Sequence, residues 1–345
     1  METIYIKSRT LPEGWEKAVL ETWKKGTSFR TEYDKPGDPE SKDVCLMLHI
    51  TEPFAEPRIH KCIPMGLNDL EKYVQEVVNG VHNSWINPAE GKWSYTYNQR
   101  LFAYKLASKE IFKDKIKHLN KLTKVVEKTC DNSSLAKMYQ QQLDMLESIE
   151  CDIDQIKQII DKLKETPYTR RARAITWQPW EDYSHGDPPC LQSMSFRVEK
   201  SKCPICNGKG EIPHGLCFGC EGIGEIEKLN MNVVIRSNDA YKAAFSNLIA
   251  FTELQKYIAD EVGVKVGEVS YYAESFHIYG SYFEEFKRFL SQVEKTNFED
   301  RIWTSDYCIP FFIDGCNELL AEKNMPKEKK ILIKKRKQHL GGVML

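Results

Sequence analysis

The sequence has almost no net charge and no long apolar run. Its 345 residues include 49 Lys and Arg against 50 Asp and Glu, for a formal net charge of −1. This balance gives no general electrostatic case for binding nucleic acid or a membrane surface. No stretch of about 18 apolar residues is present, which argues against a membrane-spanning helix, and the first residues lack the apolar run of a secretory leader. The length fits one large domain or two ordinary ones, and a hydrophobic content of 41% is enough for a substantial core.

Cysteine, in contrast, is abundant and unevenly distributed. Four of the 11 cysteines belong to two Cys-x-x-Cys-x-Gly-x-Gly units, at residues 203–210 and 217–224. Two such units can supply four thiolates to one tetrahedral zinc ion, which leaves no open position for catalysis. We therefore predict a structural zinc site, with four free thiols or a redox pair as the alternatives. The predicted ligands are Cys203, Cys206, Cys217 and Cys220.

The paired units resemble the cysteine-rich repeats of DnaJ-type chaperones, but only over this short stretch. They lie between two predicted strands, so we interpret residues 201–228 as a zinc knuckle that staples a lengthened hairpin. They are not a sign of chaperone activity. Zinc thiolates suit a reducing setting, which favours a cytoplasmic protein.

Further motifs surround a single candidate nucleophile. Cys190 follows a double proline in the stretch Asp187–Gln192, and a cation, a hydroxyl and a carboxylate lie close together in Arg236–Asp239. Asn247 follows eleven positions after that arginine, and His277–Tyr279 adds an imidazole and a phenol. In this order, the motifs resemble the thymidylate synthase family.

The resemblance extends from about Lys92 to Gly280 once two inserts are left out. Within it, Trp93–Leu101 is similar to the Tyr-Thr-Tyr-Gly-x-Arg-Leu segment of archaeal-type thymidylate synthases, with Asn98 in place of the glycine. The tryptophan that opens this segment, and Trp85 before it, could face a folate or could belong to the core.

The resemblance implies covalent catalysis on a uracil ring. Addition of the Cys190 thiolate at C6 turns the ring into an enolate, whose C5 can then attack a one-carbon donor. A nearby guanidinium lowers the pKa of a cysteine, and the family places Arg236 near the sulfur and on the nucleotide phosphate. The implied reaction is the reductive methylation of dUMP to dTMP. Its implied donor is 5,10-methylenetetrahydrofolate, or a related pterin, and dihydrofolate is the second product.

Asn247 carries the argument for the base. Uracil presents an N–H donor beside a carbonyl acceptor, and a side-chain amide offers the complementary acceptor and donor. Cytosine-specific hydroxymethylases of the family have an aspartate at this position, so the asparagine favours a uracil nucleotide. The remaining contacts implied by the family are to the nucleotide, from Gln192, Ser237, His277 and Tyr279, and to the folate, from Asp239.

The resemblance also implies a proton relay and a shared phosphate site. The family uses a helix glutamate to relay protons to the pyrimidine carbonyl through water; Glu76 fits this role best, with Glu71 in reserve. Arg170 and Arg171 precede a predicted strand, as does an arginine pair in the family that reaches the phosphate of the neighbouring subunit, and a planar charged fork suits a phosphate. We therefore expect a homodimer. Arg30 is a further candidate phosphate ligand, and a solvated surface charge is the alternative for each of these residues.

The implied fold is α+β, a thymidylate synthase-like large mixed sheet with packed helices over residues 1–345. Apolar residues at helical spacing over 106–150 predict an inserted helical hairpin, whose apolar stripe is ordinary core or a partner contact. Residues 326–345 form a basic carboxyl-terminal segment, interpreted as a solvated helix face and not as a nucleic-acid site. By analogy with the family, its apolar end could close over the folate.

Two rival functions stay open. A 5-hydroxymethylase acting on uridylate or cytidylate shares every step up to the exocyclic methylene, which water then attacks instead of hydride. A non-catalytic regulator with a synthase-like body would bind nucleic acid or a partner through the zinc module. The intact motifs around Cys190 and Asn247 argue against the regulator.

Overall fold

The computed structural model of this protein describes residues 1–105, 109–129, 133–147, 152–184 and 186–343. Within these ranges the strands, in chain order, are β1 (Glu2–Ser8), β2 (Thr27–Phe29), β3 (Ser41–Ile50), β4 (Ile59–His60), β5 (Tyr104–Lys105), β6 (Asp152–Ile153), β7 (Arg173–Ile175), β8 (Leu191–Lys202), β9 (Glu211–Ile212), β10 (Gly215–Leu216), β11 (Glu225–Ile235), β12 (Asn238–Asp239), β13 (Lys265–Ile278) and β14 (Ile302–Trp303).

One mixed sheet contains the long strands, in the order β1–β3–β13–β11–β8–β7, with β2 paired to β3 and β12 to β13. Strand β11 runs antiparallel to β8 and parallel to β13. Strand β13 in turn runs antiparallel to β3, which is parallel to β1. The carboxyl ends of β11 and β13 therefore lie beside the amino end of β8, at one edge of the sheet. This architecture confirms the predicted α+β fold with a large mixed sheet.

The helices flank this sheet. In chain order they are α1 (Leu11–Lys25), α2 (Leu67–Asn79), α3 (Tyr97–Phe102), α4 (Lys109–Thr129), α5 (Ser133–Glu147), α6 (Gln155–Glu165), α7 (Pro179–Asp182), α8 (Ala244–Val262), α9 (Phe283–Lys295), α10 (Ser305–Ala321) and α11 (Lys327–Val343). None of those in the described ranges is both long and apolar enough to cross a membrane.

One face of the sheet is covered and part of the other is open. Helices α1 and α8 pack directly on the sheet, and α2 packs on α8. Helix α8 is buried on most sides, as expected for a helix enclosed by other elements. Strand β1 buries Ile4 and Ile6 but exposes Tyr5, and Met47 on β3 is also exposed. The alternation places these exposed side chains on the face away from α1.

Helix α2 ends at a position that requires glycine. Gly80 has a φ of 63°, in the left-handed region, and a Cβ atom there would collide with Asn98. The Asn98 amide donates to the carbonyl oxygens of Val77 and Val78 at 3.0 and 3.1 Å. The asparagine that departs from the archaeal-type segment therefore holds the end of the helix that carries Glu76.

The region predicted as a helical insert contains α4 and α5, which pack against each other. Residues 106–108, 130–132 and 148–151 lie outside the described ranges, and with them the predicted turn between the two helices. Helix α6 follows and packs on α8, with Ile156, Ile159 and Leu163 buried.

The cluster of four cysteines lies at the tip of the hairpin formed by β8 and β11. Strands β8 and β11 stay paired as far as Lys202 and Glu225. Beyond this pair, β9 and β10 form a small two-stranded sheet, and the four cysteines form a buried cluster of their own.

The basic carboxyl-terminal helix is largely exposed, as expected of a solvated helix face, but one side of it is buried. Helix α11 buries Ile333 and Leu340. Its Arg336 reaches Glu71 on α2, with Nε and Nη2 each 3.0 Å from a carboxylate oxygen. The reason is that Glu71 is itself almost fully buried and needs a cation. Residues 344 and 345, at the predicted lid, lie outside the described ranges.

Candidate active site

Three strands and one helix bring the candidate site residues to one edge of the sheet. Cys190 directly precedes β8, Arg236 directly follows β11, and His277 lies near the end of β13. The Arg236 backbone N–H donates to the Cys190 carbonyl at 2.9 Å. Asn247 approaches from the first turns of α8. Residues far apart in the chain thus meet because β11 and β13 are parallel and β8 runs against them.

These residues line one open cavity of about 590 Å³. That volume is typical of a small-molecule site. Of the residues assigned from sequence to catalysis, nucleotide or folate, those that line it are Cys190, Arg236, Ser237, Asp239, Asn247, His277 and Tyr279.

The Cys190 thiol is held mainly in its protonated form. Burial raises the pKa of the thiol above its ordinary value, the charge of Arg236 works in the opposite direction, and Asp187 adds to the rise. The expectation that Arg236 favours the thiolate is correct for that pair. It is wrong for the net shift, because removing water from a thiolate costs more than the guanidinium offsets.

Arg236 is oriented by the double proline before the cysteine. Its Nε donates to the Pro189 carbonyl at 3.1 Å and its Nη2 to the Pro188 carbonyl at 2.6 Å. Both acceptors are neutral, so they orient the guanidinium without cancelling its charge. A guanidinium has five N–H donors, and those not used here can bind an anion in the cavity.

Asn247 is almost fully buried, with only 5% of the residue accessible. A phenol holds its side chain. The Tyr73 hydroxyl donates to Asn247 Oδ1 at 2.6 Å. Tyr73 comes from α2 and lines the same cavity. The contact therefore fixes α2 against α8 at the point where the amide faces the cavity.

His277 is neutral and keeps one ring nitrogen available to a ligand. The Ser275 hydroxyl donates to Asp43 Oδ2 at 2.5 Å, so its oxygen accepts from the His277 Nδ1–H at 3.0 Å. His277 Nε2 is then an acceptor, and it has no hydrogen-bond partner in the described part of the chain. Burial lowers the pKa of His277 to about 4, which keeps the ring uncharged at neutral pH.

Asp239 and Tyr279 complete the wall of the cavity. Asp239 Oδ1 accepts from the backbone N–H groups of Tyr241 and Lys242 at 3.0 and 2.8 Å, so the carboxylate also shapes the turn before α8. Burial raises the pKa of Asp239. The Tyr279 ring packs edge-on against His277, with ring centroids 4.5 Å apart. Each side chain therefore has a packing role besides its assigned one.

Glu76 lies in an adjoining cleft of about 260 Å³, which it lines together with Trp93. Three residues line both this cleft and the main cavity: Tyr73, Tyr97 and Asp187. Glu76 Oε2 is 3.0 Å from His82 Nδ1. Burial alone would lower the pKa of His82, but the charge and hydrogen bond of Glu76 outweigh it and raise the pKa.

The two tryptophans are partly exposed, and Trp93 lines this cleft. Trp85 and Trp93 are 42% and 41% exposed. Trp85 stacks on His82 with ring centroids 4.0 Å apart, and Trp93 meets Trp85 edge-on at 5.1 Å. Their exposure argues against the core alternative, and contact with a folate stays a prediction.

Comparisons with known proteins agree with the site. The family model described as thymidylate synthase matches residues 78–304, which is most of the chain and contains Cys190, Asn247 and His277. The chain belongs to the thymidylate synthase family. This is an enzyme family of one-carbon transfer that uses methylenetetrahydrofolate and binds dUMP-type substrates.

Individual relatives are more distant. A protein of Methanocaldococcus jannaschii named "Putative thymidylate synthase" is 26% identical over 280 residues, which cover 79% of this chain and 90% of the relative. One of the same name from Methanosarcina mazei is 22% identical over 79% of this chain and 88% of the relative. Among solved structures, thermostable thymidylate synthase A from Bacillus subtilis matches with a TM-score of 0.48 and 18% identity, covering 81% of this chain and 83% of that one.

Four residues suggested as nucleotide ligands do not line the main cavity. Arg170 lines a separate groove beside His49, and Arg171 lines another near Tyr104.

The other candidates have contacts elsewhere in the chain. Gln192 Nε2 donates to the Pro189 carbonyl at 2.9 Å and so supports the loop before the cysteine. Arg30 is exposed and donates to the Asp38 carbonyl at 2.7 Å. Glu71, the reserve proton relay, is bound to Arg336 and lines neither cavity.

The sequence analysis missed residues that hold the assigned ones in place. Tyr73 lies three positions before Glu76 on α2, on the same helix face, so helical spacing could have marked it. Ser275 lies two positions before His277, on the same face of β13, which strand alternation could have marked. Asp43 comes from β3, and no local pattern connects it to either.

The four cysteines of the insert form a site of metal-ligand geometry. All four sulfur atoms lie within 4.8 Å of one another, with Cys203 Sγ and Cys217 Sγ 3.8 Å apart and Cys206 Sγ and Cys220 Sγ 3.6 Å apart. A tetrahedron of thiolates with Zn–S bonds of about 2.3 Å has S–S edges of about 3.8 Å. The cluster therefore fits a zinc ion.

The two halves of this cluster repeat each other. The backbone N–H of Gly210 donates to Cys206 Sγ at 3.3 Å, and that of Gly224 donates to Cys220 Sγ at 3.1 Å. Both glycines have positive φ, and a Cβ at either one would collide with a carbonyl of the other unit. The repeated glycines of the sequence are therefore required by the close approach of the two units.

Proposed function

We propose that this protein methylates C5 of dUMP with methylenetetrahydrofolate, giving dTMP and dihydrofolate. The observation that carries the proposal is the single cavity lined by Cys190, Arg236, Asn247 and His277. A nucleophile, a cation, a base-reading amide and a neutral hydrogen-bond acceptor are the groups that this chemistry needs.

Cys190 is the nucleophile toward C6 of the uracil ring. Its proton must leave before the sulfur attacks, because the thiolate is the reactive form. The Arg236 charge favours that ionisation. Formation of the S–C6 bond moves electron density to C5 and the C4 carbonyl. Elimination of the sulfur later restores the double bond and the free cysteine.

The base and sugar are held by uncharged groups. The Asn247 amide pairs with the N3–H and the C4 carbonyl of uracil. His277 Nε2 accepts a hydrogen bond from the sugar hydroxyl, and the Asp43–Ser275 pair holds the imidazole in the tautomer that leaves this nitrogen bare. Tyr279 contributes its phenol to the same hydroxyl.

The phosphate is held by Arg236 and Ser237, together with Arg170 and Arg171 of a second subunit. Support for a homodimer is that Arg170 lies away from the cavity of its own chain, beside the open face of the sheet. A guanidinium fork in that position suits a phosphate that belongs to a neighbouring subunit.

The folate side of the site is the cleft that contains Glu76, together with the adjoining wall of the main cavity where Asp239 lies. Methylenetetrahydrofolate supplies the one-carbon unit and the hydride when bound. Asp239 and the exposed rings of Trp85 and Trp93 are the groups of this chain that would orient it. Glu76 relays protons to the C4 carbonyl from its position beside Tyr73 and Tyr97.

The mass of the product tests this reaction. Wild-type enzyme incubated with dUMP and methylenetetrahydrofolate should yield a nucleotide 14 Da heavier, about the mass of one added CH₂, and Cys190→Ser should yield none. A product heavier by a further oxygen would identify the hydroxymethylase instead. If the dUMP carries tritium at C5, recovery of unchanged dUMP with its tritium retained would contradict both reactions.

We also propose that the cysteine cluster binds one structural zinc per chain, in the reducing cytoplasm. Support comes from the S–S distances, which match a tetrahedral thiolate site. Purified protein should contain about one zinc per chain, and Cys203→Ser with Cys217→Ser should lose it. Cys62→Ser, outside the cluster, is the matched control and should keep the metal. Folded wild-type protein without zinc would contradict the proposal.

A further inference from the structure

The Asn247 amide is already half engaged by the protein before any base binds. An amide oxygen has two lone pairs and an amide nitrogen has two hydrogens. Tyr73 occupies one of the lone pairs, at 2.6 Å from Oδ1. The orientation of the amide is therefore set from α2, which does not carry Asn247.

We infer that Tyr73 is a specificity-determining residue. By donating to Asn247 Oδ1 it fixes which end of the amide faces each edge atom of the base, and so selects uracil over cytosine. The inference rests on the proposed function, because it concerns the base that Asn247 would read.

The contact with Tyr73 leaves one lone pair of Oδ1 and the two hydrogens of Nδ2. A lone pair beside an N–H donor is the complement of the N3–H and the C4 carbonyl of uracil.

Cytosine would require the opposite orientation. It presents a bare N3 acceptor beside an amino donor, so the amide would have to turn by half a rotation and direct Nδ2 at Tyr73. Burial raises the pKa of Tyr73 well above its usual value, so the phenol stays protonated. In the described part of the chain, the Tyr73 hydroxyl donates its hydrogen bond to Asn247 Oδ1. The rotation would leave the hydroxyl proton without an acceptor, and a buried unpaired donor weakens binding.

The experiment compares the dissociation constants of dUMP and dCMP for wild type and Tyr73→Phe, measured by titration calorimetry. The wild type should prefer dUMP. Tyr73→Phe should reduce the dUMP-to-dCMP preference about 10-fold or more, the factor expected when a stranded donor no longer penalises the wrong base. A merely structural role for Tyr73 would weaken both nucleotides equally and leave the ratio unchanged.

Tyr97→Phe is the matched control. Tyr97 lines the same two cavities, so this change removes a phenol oxygen from the same wall, and the ratio should stay at the wild-type value. If Tyr73→Phe does not fold, Tyr73→Met removes the hydroxyl in a different shape and gives the same comparison. A ratio within about 2-fold of wild type in a folded Tyr73 variant would overturn the inference. Failure of the wild type to bind either nucleotide would instead overturn the proposed function.

Discussion

His277 shows at the scale of one residue how burial fixes a chemical state. Only 4% of the residue is accessible, and burial lowers the pKa of the imidazole to about 4. The Asp43–Ser275 pair decides which nitrogen carries the proton. A charged imidazole would be a donor on both sides, so the same burial that costs stability in acid preserves an acceptor for a hydroxyl.

His277 should make the protein sensitive to mild acid. The folded pKa lies below the ordinary value of 6.5, so the unfolded chain takes up a proton that the folded chain refuses. Stability is therefore unaffected above about pH 6.5 and falls as the pH drops toward 4. At pH 4.5 the loss from this group should be about 2–3 kcal/mol.

Urea unfolding at pH 7 and pH 4.5 measures this loss. His277→Gln should lose about 2–3 kcal/mol less than wild type between the two pH values. His339→Gln, at an exposed position of α11, is the control and should behave as wild type does. An equal loss in wild type and His277→Gln would contradict the account of this residue.

At the scale of elements, an ion cluster joins the helices that hold the site. Arg336 on α11 binds Glu71 on α2 and lies 3.5 Å from Glu253 on α8. Glu253 also binds Arg58 at 2.5 Å. Helix α2 carries Glu76 and α8 carries Asn247. The carboxyl-terminal helix therefore braces the two helices whose separation sets the width of the cavity.

Arg336→Met should be strongly destabilising. The change leaves Glu71 buried without its cation, and breaking a buried pair in this way typically costs about 3–5 kcal/mol. Lys335→Met, one position earlier and exposed, removes the same charge and should change stability by less than about 0.5 kcal/mol. Urea unfolding of both variants measures the difference. Similar values for the two would show that the ion cluster does not brace the helices.

Elements with strong local signals were predictable from sequence, and their bracing contacts were not. Helix α2 (Leu67–Asn79) carries such signals, because its apolar face and the glycine that follows it are both local patterns. The hydrogen bonds from Tyr73 to Asn247 and from Ser275 to Asp43 join residues that are 174 and 232 positions apart. Such pairs depend on the packing of elements and leave no periodic trace.

The candidate cavity shows the same division. Cys190, Asn247 and His277 belong to recognisable motifs, and the strand order brings them together. The net pKa shift of Cys190 could not be predicted, since motif reasoning supplies the neighbouring arginine but not the extent of burial. The buried side of α11 could not be predicted either, because its partner Glu71 is buried on another helix.

At the scale of the whole molecule, the proposed shared site requires two chains. Co-expression of Cys190→Ser with the double change Arg170→Ala and Arg171→Ala should restore activity that neither protein has alone. Each mixed dimer would contain one site with an intact cysteine and an intact arginine pair. With random pairing of the two chains in equal amounts, about a quarter of all sites should be complete and active. No activity in the mixture, from dimers shown to be mixed, would place the arginines outside the site.

The central claim is that the Cys190 sulfur bonds to C6 of a uracil nucleotide that the cavity holds. The most direct measurement is mass spectrometry of the protein after incubation with 5-fluoro-dUMP and methylenetetrahydrofolate, because fluorine at C5 blocks the elimination that would free the sulfur. The account predicts a stable adduct on the peptide that contains Cys190, and none in Cys190→Ser. An adduct on another residue, or an unmodified wild-type protein, would contradict it.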